Sequence, residues 1–358
     1  QTHQEETKMI TLISIGINSH QDLSLRGIQA AKEADKVYAE TYTMKLDTTI
    51  HELEETIGKK ITPLKRNGME EQADQLLSEA KTSNIAILVG GDALSATTHI
   101  SLILDAEEDG IETKIIHGSS IFTSITDTGL SIYKFGKTVT IPLPEKGPVD
   151  TAIRTIKENY EHGLHTLILL DLNMAEEKYL TIPHAIQRLI DTGEFDPETL
   201  LIGAARLGSR FPAIKAETAI KLQSLDFGEP PHTIIAPGKL HFMEEEALEA
   251  LADCPRKVIQ NHKPVGETDR LITKYSVGCR KVLDELKKRN LPIEITAEQV
   301  DELLKHTENY LYDAEYYRVD KRATALTCVA YAEGILDALK LLGIVDFEWL
   351  SDRYHCYR

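Results

Sequence analysis

The chain reads as an α/β protein: two α/β domains with a cleft between them, followed by an all-α helical bundle. Three observations predict this. Over residues 9–141, short apolar runs alternate with amphipathic stretches of about 10–15 residues, which implies βαβ units and a parallel sheet. The same rhythm resumes after the dense breaker cluster Pro142-Leu143-Pro144-Glu145-Lys146-Gly147-Pro148, which reads as a hinge, and continues over 142–255. After a polar stretch at 256–267, read as a linker, only a helical period remains, over 268–345.

The elements follow in order. Residues 1–8 are polar, lack the apolar centre of a signal peptide and are set aside, with Met9 read as the natural start. Met9–Ile15 is a buried strand, Leu23–Ala34 a helix and Lys36–Ala39 a strand. A helix is predicted over Thr48–Ile57, a strand over Ile61–Leu64 and a charged helix over Met69–Lys81. The strand Ile85–Val89, helix Thr97–Glu108 and strand Thr113–Ile116 complete the first domain. The second has strands at Thr166–Leu170, Leu200–Ala205 and Thr233–Ala236. Its helices lie near Ala152–His162, Pro183–Asp191, Ala216–Gln223 and Met243–Leu251. In the bundle, Leu271 to Leu286 form one apolar stripe, and Thr296 with Gln299 fit a capping box ahead of a second helix. A third helix carries Ala325, Cys328, Val329, Ala332, Ile335, Leu336, Leu339 and Leu342 on one face, with Gly343 as its stop.

Composition narrows the function. A formal charge of −17 argues against general nucleic-acid binding. No apolar run approaches the roughly 20 residues of a membrane span, and the reading is a cytoplasmic protein. Cys254, Cys279, Cys328 and Cys356 are scattered without CxxC spacing, so reduced thiols are expected, with no metal site.

Chemistry concentrates at two strand-to-helix turns. Ile85–Val89 runs into Gly90-Gly91-Asp92-Ala93-Leu94, and Ile115-Ile116 into His117-Gly118-Ser119-Ser120. In one parallel sheet both turns fall on the same edge, where residues without a Cβ let backbone amides approach a ligand. No Walker loop and no dinucleotide fingerprint is present. A nucleotide-like ligand without a gripped phosphate, such as S-adenosylmethionine, suits such an edge. Taken alone, Asp92 reads better as a helix cap than as a ligand contact.

Residues 9–255 resemble the diphthine synthases, within the tetrapyrrole-methylase-like class of S-adenosylmethionine methyltransferases. The specific strings are Tyr38-Ala39-Glu40-Thr41-Tyr42-Thr43, Ile132-Tyr133-Lys134-Phe135-Gly136-Lys137 and Pro237-Gly238-Lys239-Leu240-His241. Gly91–His99, Ala205–Ser209 and Phe227–His232 accompany them. The resemblance implies a cofactor folded into a cleft between the two domains. Matched by motif, its contacts are Ile17, Asp92, Ser95, Ser120, Ile121, Leu170, Leu207 and His232. Ordinary core remains the alternative for the four aliphatic residues. Two positions depart from the family pattern: Ser14 stands where a glycine is usual, and Ala93 where a proline is usual. An altered turn rigidity is expected.

The resemblance also implies the reaction: methylation of the amino group of a 3-amino-3-carboxypropyl substituent on a histidine of elongation factor 2, leaving S-adenosylhomocysteine. In-line displacement from a sulfonium needs no metal, only alignment and a neutral amine. His117 and His99 are the candidate general bases, beside loss of the proton to water. Tyr42, Phe122, Tyr133 and Phe135 are candidate aromatic walls for a quaternary ammonium product. Lys134, Lys137 and Lys239 are candidate partners for the substrate carboxylate. A homodimer is implied. Two alternatives stay open: a methyltransferase of the same fold acting on a tetrapyrrole, and a non-catalytic S-adenosylmethionine-binding protein. The bundle resembles a small archaeal helical domain of uncharacterised function, through Tyr331–Ala338; it reads as a docking module or a structural appendage.

Overall fold

The computed structural model describes residues 8–40, 42–64, 73–264, 294–317 and 321–347. The chain divides into two compact units, 1–267 and 268–358.

The first sheet contains β1 (Met9–Gly16), β2 (Lys36–Glu40), β3 (Ile61–Leu64), β4 (Ile85–Gly90) and β5 (Glu112–Ile116). All pair in parallel, in the order β3-β2-β4-β1-β5. Around it lie α1 (Leu25–Glu33), α2 (Ile50–Ile57), α3 (Ala73–Ala80) and α4 (Ile100–Glu108). The central strands β1 and β4 are near-continuous buried runs because helices cover both faces. Ile10, Leu12, Ile85 and Ile87 pack toward Leu76 and Leu102, while Ile13, Ile15 and Leu88 pack toward Leu53 and Ile57. Thr49 and Glu52 form the capping box that starts α2, and Gly58 ends it in a left-handed conformation. The first part of the helix predicted over Met69–Lys81 lies outside the described residues.

The second sheet uses β6 (Val139–Ile141), β7 (Thr166–Leu170), β10 (Leu200–Ala205), β11 (Ala213–Thr218) and β12 (His232–Ala236), in the order β11-β10-β12-β7-β6. A short hairpin, β8 (Leu172–Asn173) with β9 (Lys178–Tyr179), follows β7. The helices are α5 (Ile121–Ser124), α6 (Asp150–Glu161), α7 (Ile182–Asp191), α8 (Ala219–Leu222), α9 (Phe242–Leu251) and α10 (Arg256–Asn261).

Three expectations are corrected here, beside a strand pairing in the second sheet that the sequence left open. Only β6 and β7 pair in parallel; the other three ladders are antiparallel. The crossover between sheets precedes Val139 rather than following Ile141, because Val139, Ile141 and Leu143 are buried in the second core. The breaker cluster belongs to that lobe, with Arg188 donating to the carbonyls of Pro142 and Gly147. Residues 213–218 form a strand, not the start of a helix. Ala216 and Thr218 are buried and alternate with the less buried Lys215 and Glu217, a period of two that a helical reading overlooks. Finally, the first half of the expected linker is the helix α10, whose Val258 and Ile259 are buried in the core.

In the second unit, α11 (Ala297–Tyr317) and α12 (Arg322–Leu341) pack together. The capping bonds are present: Thr296 N donates to Gln299 Oε1 at 2.9 Å, and Gln299 N to Thr296 Oγ1 at 3.3 Å. Thr307 and Ala314 on one helix, and Ala325, Ala332 and Leu339 on the other, are buried at seven-residue spacing. The stripe Leu271–Leu286 lies outside the described residues.

Candidate active site

The site forms where β1, β4 and β5 end. In this sheet order β1 lies between β4 and β5 while β2 lies beyond β4, so the carboxyl ends open a crevice at the point where the winding reverses. Gly16 and Gly91 close it at the base. Gly16 N donates to Gly91 O at 3.1 Å, and Gly91 N to Gly16 O at 2.8 Å. Both have positive φ, +106° and +69°, and a Cβ on Gly16 would fall 2.4 Å from Asp22 Cβ.

Asp92 follows at once, and its neighbour Ala93 is held on both sides. Ala93 N donates to the buried Ser14 Oγ at 2.9 Å, and Ala93 O accepts from His99 Nδ1 at 3.1 Å. The Asp92 carboxylate accepts four bonds. Oδ1 takes Leu94 N at 3.1 Å and Ser95 Oγ at 3.0 Å; Oδ2 takes His117 Nδ1 at 2.8 Å and Gly118 N at 3.2 Å. Burial alone would raise its pKa, but the bonds from His117, Leu94, Gly118 and Ser95 outweigh burial and hold the carboxyl below its usual range. Asp92 is therefore both a turn cap and the tie between the β4 and β5 turns.

Above these turns lies a cleft of about 200 Å³. Ile17, Val89–Asp92, Ser95–Thr97 and Ser120 line it from the first lobe, with Thr43 and Met44 from the loop after β2 and Ile121 from the start of α5. Leu169, Leu170, Ala204, Arg206, Leu207 and Pro231–Thr233 line it from the second lobe. The structure thus brings Ile17, Asp92, Ser95, Ser120, Ile121, Leu170, Leu207 and His232 together around one cavity. The His232 side chain is used internally: Nδ1 accepts from Ile182 N at 3.3 Å, and Nε2 donates to Gly228 O at 3.0 Å. Burial, and less strongly the Arg206 charge, lower its pKa, so the ring is neutral.

The two candidate bases separate. His99 is 3% exposed, does not line the cleft, and spends Nδ1 on Ala93 O. It positions the turn. His117 does not line the cleft either, but it sits beside the lining residue Asp92 with its side chain 67% exposed. Nδ1–H is committed to the carboxylate, which leaves Nε2 with a lone pair.

Four substrate candidates are not among the residues that line the cleft. Lys134 is bound to the buried Glu244 and, at 2.5 Å, to Lys239 O. Lys137 is exposed, 3.9 Å from Glu158. Lys239 and Tyr133 are also exposed, Tyr133 at 92%. Tyr42 packs against the first core next to Thr43 and Met44, and Phe122 and Phe135 pack against the second-lobe core. Sequence reading missed Met44 and Arg206. Arg206 had a signal, since it lies within the Ala205–Ser209 landmark, one residue before Leu207. Met44 had none: its role comes from the loop fold, which lays its Cβ 3.2 Å from where a Cβ on Gly90 would stand.

Among the described residues no cluster of His, Cys, Asp and Glu suited to a metal is present, and no helix is long and apolar enough to cross a membrane. The family model for Tetrapyrrole (Corrin/Porphyrin) Methylases matches residues 9–222, and one described as Protein of unknown function (DUF357) matches 274–345. The diphthine synthase of Methanosarcina acetivorans is 43% identical over 265 residues, covering 70% of this chain and 99% of that protein. That of Methanocaldococcus jannaschii is 41% identical over 255 residues, covering 68% and 99%. A crystal structure of diphthine synthase superposes with a TM-score of 0.67 at 38% identity, covering 70% of this chain and 99% of its own. A putative diphthine synthase from Entamoeba histolytica gives 0.63 at 34%, covering 68% and 98%. With its parallel first sheet and glycine-bridged cleft, followed by a separate helical unit, this chain belongs to the diphthine synthase family of the tetrapyrrole methylases.

Proposed function

We propose that this protein is an S-adenosylmethionine-dependent methyltransferase that methylates the amino group of the 3-amino-3-carboxypropyl-histidine of elongation factor 2. The observation that supports it best is the convergence of all eight motif-matched residues on one cleft, in a chain of this family. The residues suit the cofactor. Ile17, Ile121, Leu170 and Leu207 offer aliphatic walls for an adenine, the glycine turn leaves backbone polar groups approachable, and an ionised Asp92 favours a cationic ligand. When bound, S-adenosylmethionine supplies an electrophilic methyl on a sulfonium whose leaving group is a neutral thioether.

The chain's own work is placement and proton removal. Asp92 and the Gly16–Gly91 bridge fix one wall, so little reorganisation is needed on binding. His117 Nε2 accepts the proton that the amine gives up, while Asp92 holds Nδ1–H and fixes the tautomer. On this reading the enzyme works as a homodimer in the archaeal cytoplasm, without direct nucleic-acid contact. A tetrapyrrole substrate is not favoured, since the curated relatives named above are diphthine synthases over nearly their whole length.

The test is methyl transfer from labelled S-adenosylmethionine to archaeal elongation factor 2 with and without the aminocarboxypropyl histidine, followed by mass analysis. Label on the modified factor alone is the expected result, and the mass counts the methyls. Cofactor binding without transfer to either form would overturn the reading.

A further inference from the structure

The cleft has one cationic side chain among its described lining residues, Arg206, and it comes from the lobe opposite Asp92. Its backbone is unusual: φ is +52°, the left-handed region that few residues other than glycine adopt. The neighbouring loop explains how this is held. Arg206 N donates to Pro231 O at 3.0 Å, and Nη1 donates to Phe227 O at 2.7 Å and to Glu229 O. Those two bonds use both hydrogens of Nη1. Nε and Nη2 have no hydrogen-bond partner among the described residues. They form the side-on edge of the guanidinium, the edge that accepts a carboxylate through two parallel bonds.

The lysines that could have served a carboxylate are elsewhere, with Lys134 bound to Glu244. A half-buried guanidinium with one nitrogen anchored and its bidentate edge unspent is preorganised for an anion. Arg206 and Asp92 also give the cleft a cation on one wall and an anion on the other, a pattern complementary to a zwitterion.

We propose that the Nε/Nη2 edge of Arg206 binds the carboxylate of an α-amino-acid group in the cleft. This rests on the methyltransferase reading above, under which two groups carry that chemistry: the methionyl end of the cofactor and the aminocarboxypropyl side chain of the protein substrate.

The experiment separates them. Binding of S-adenosylmethionine and of its decarboxylated analogue is measured by calorimetry for the wild-type protein, Arg206→Gln and Arg206→Lys. KM and kcat for modified elongation factor 2 are measured at saturating cofactor. If the cofactor carboxylate is the ligand, wild type prefers the carboxylated form at least ten-fold, Arg206→Gln loses the preference, and Arg206→Lys keeps part of it. If the substrate carboxylate is the ligand, cofactor binding is unchanged, KM rises at least ten-fold in Arg206→Gln, and kcat stays within about three-fold. Either result supports the proposal and names the source.

A variant that loses both cofactor forms equally, with no separate rise in KM, shows an arginine that only staples the 227–231 loop and overturns the proposal. So does a folded variant unchanged in every readout. Should Arg206→Gln not fold, the wild-type comparison of the two cofactor forms and the Arg206→Lys values still decide: no preference and an unchanged KM overturn it. The cofactor arm needs no turnover, so failure of the substrate assignment would show separately, as absent methyl transfer by the wild type.

Discussion

Asp92 Oδ2 lies 2.8 Å from His117 Nδ1 and so joins the turn after β4 to the turn after β5 through one charge-assisted hydrogen bond. The same oxygen accepts from Gly118 N, and the other oxygen from Leu94 N and Ser95 Oγ. Every partner is a donor. Asp92→Asn puts an NH₂ where one oxygen must accept, so it loses at least two of these bonds and sets donor against donor. Cofactor affinity is expected to fall by about 10²-fold, some 3 kcal/mol, in line with charge-assisted bonds of about 1.5–3 kcal/mol each. Calorimetry with S-adenosylhomocysteine checks this; an affinity within three-fold of wild type would remove Asp92 from the binding machinery.

The imidazole of His117 carries a second prediction. Nδ1–H is held and the side chain is largely exposed, so Nε2 is accessible both to substrate and to small molecules. His117→Ala should lower kcat by about 10²-fold, the lower end for a general base. Added imidazole should restore part of the rate, because the vacated space opens to solvent. A rate unaffected by the substitution would assign the proton to water instead.

Ser14 and Ala93, the two departures from the family pattern, turn out to be one feature. Ser14 Oγ accepts the Ala93 N–H at 2.9 Å within the buried core. A proline at 93 has no such hydrogen, and a glycine at 14 has no such acceptor, so each substitution supplies what the other needs. The expected loosening of the turn is replaced by a bond. Ser14→Gly alone should cost about 1–3 kcal/mol by leaving a buried donor unpaired. In the Ser14→Gly, Ala93→Pro double variant the cost should shrink, with a coupling of about 1 kcal/mol or more in a double-mutant cycle. Additive losses, read from urea denaturation, would sink the pairing.

This pair shows where sequence reading stops. The first sheet was legible because its central strands β1 and β4 are buried on both faces and write themselves as apolar runs such as Ile85–Val89, both ended by a glycine. The cleft was legible because its lining sits on those turns. Contacts between distant segments carry no local signal. Nothing in the strings around Ser14 and Ala93 reveals that they touch, or that Lys134 is claimed by Glu244, 110 positions away. Strand β11 was missed for a related reason: it holds only one buried aliphatic residue, Ala216, so its alternation is faint.

The last prediction concerns Glu244, whose side chain is 4% exposed. Gly238 N donates to His165 Nδ1 at 2.9 Å, so the proton of this fully buried ring is on Nε2, which donates to Glu244 Oε1 at 3.0 Å. Burial would raise the Glu244 pKa, but bonds from Lys134, His241, Ser131 and His165 outweigh it and bring the value down to about 2. For His165, burial is the largest influence and lowers its pKa despite the glutamate. Both groups therefore bind protons more weakly folded than unfolded, and stability must rise with pH through both windows. The histidine contribution is lost as pH falls below its unfolded value near 6.5, and the Glu244 contribution as pH falls from about 4.5 toward 2. The glutamate shift corresponds to roughly 3 kcal/mol at neutral pH. Glu244→Gln should therefore unfold about 3 kcal/mol more easily at pH 7.5, with the deficit narrowing steadily below about pH 4.5, because glutamine does not titrate. Urea midpoints for both proteins between pH 7.5 and 3 measure it. A deficit that stays constant across that range would mean that Glu244 acts through packing rather than through its charge.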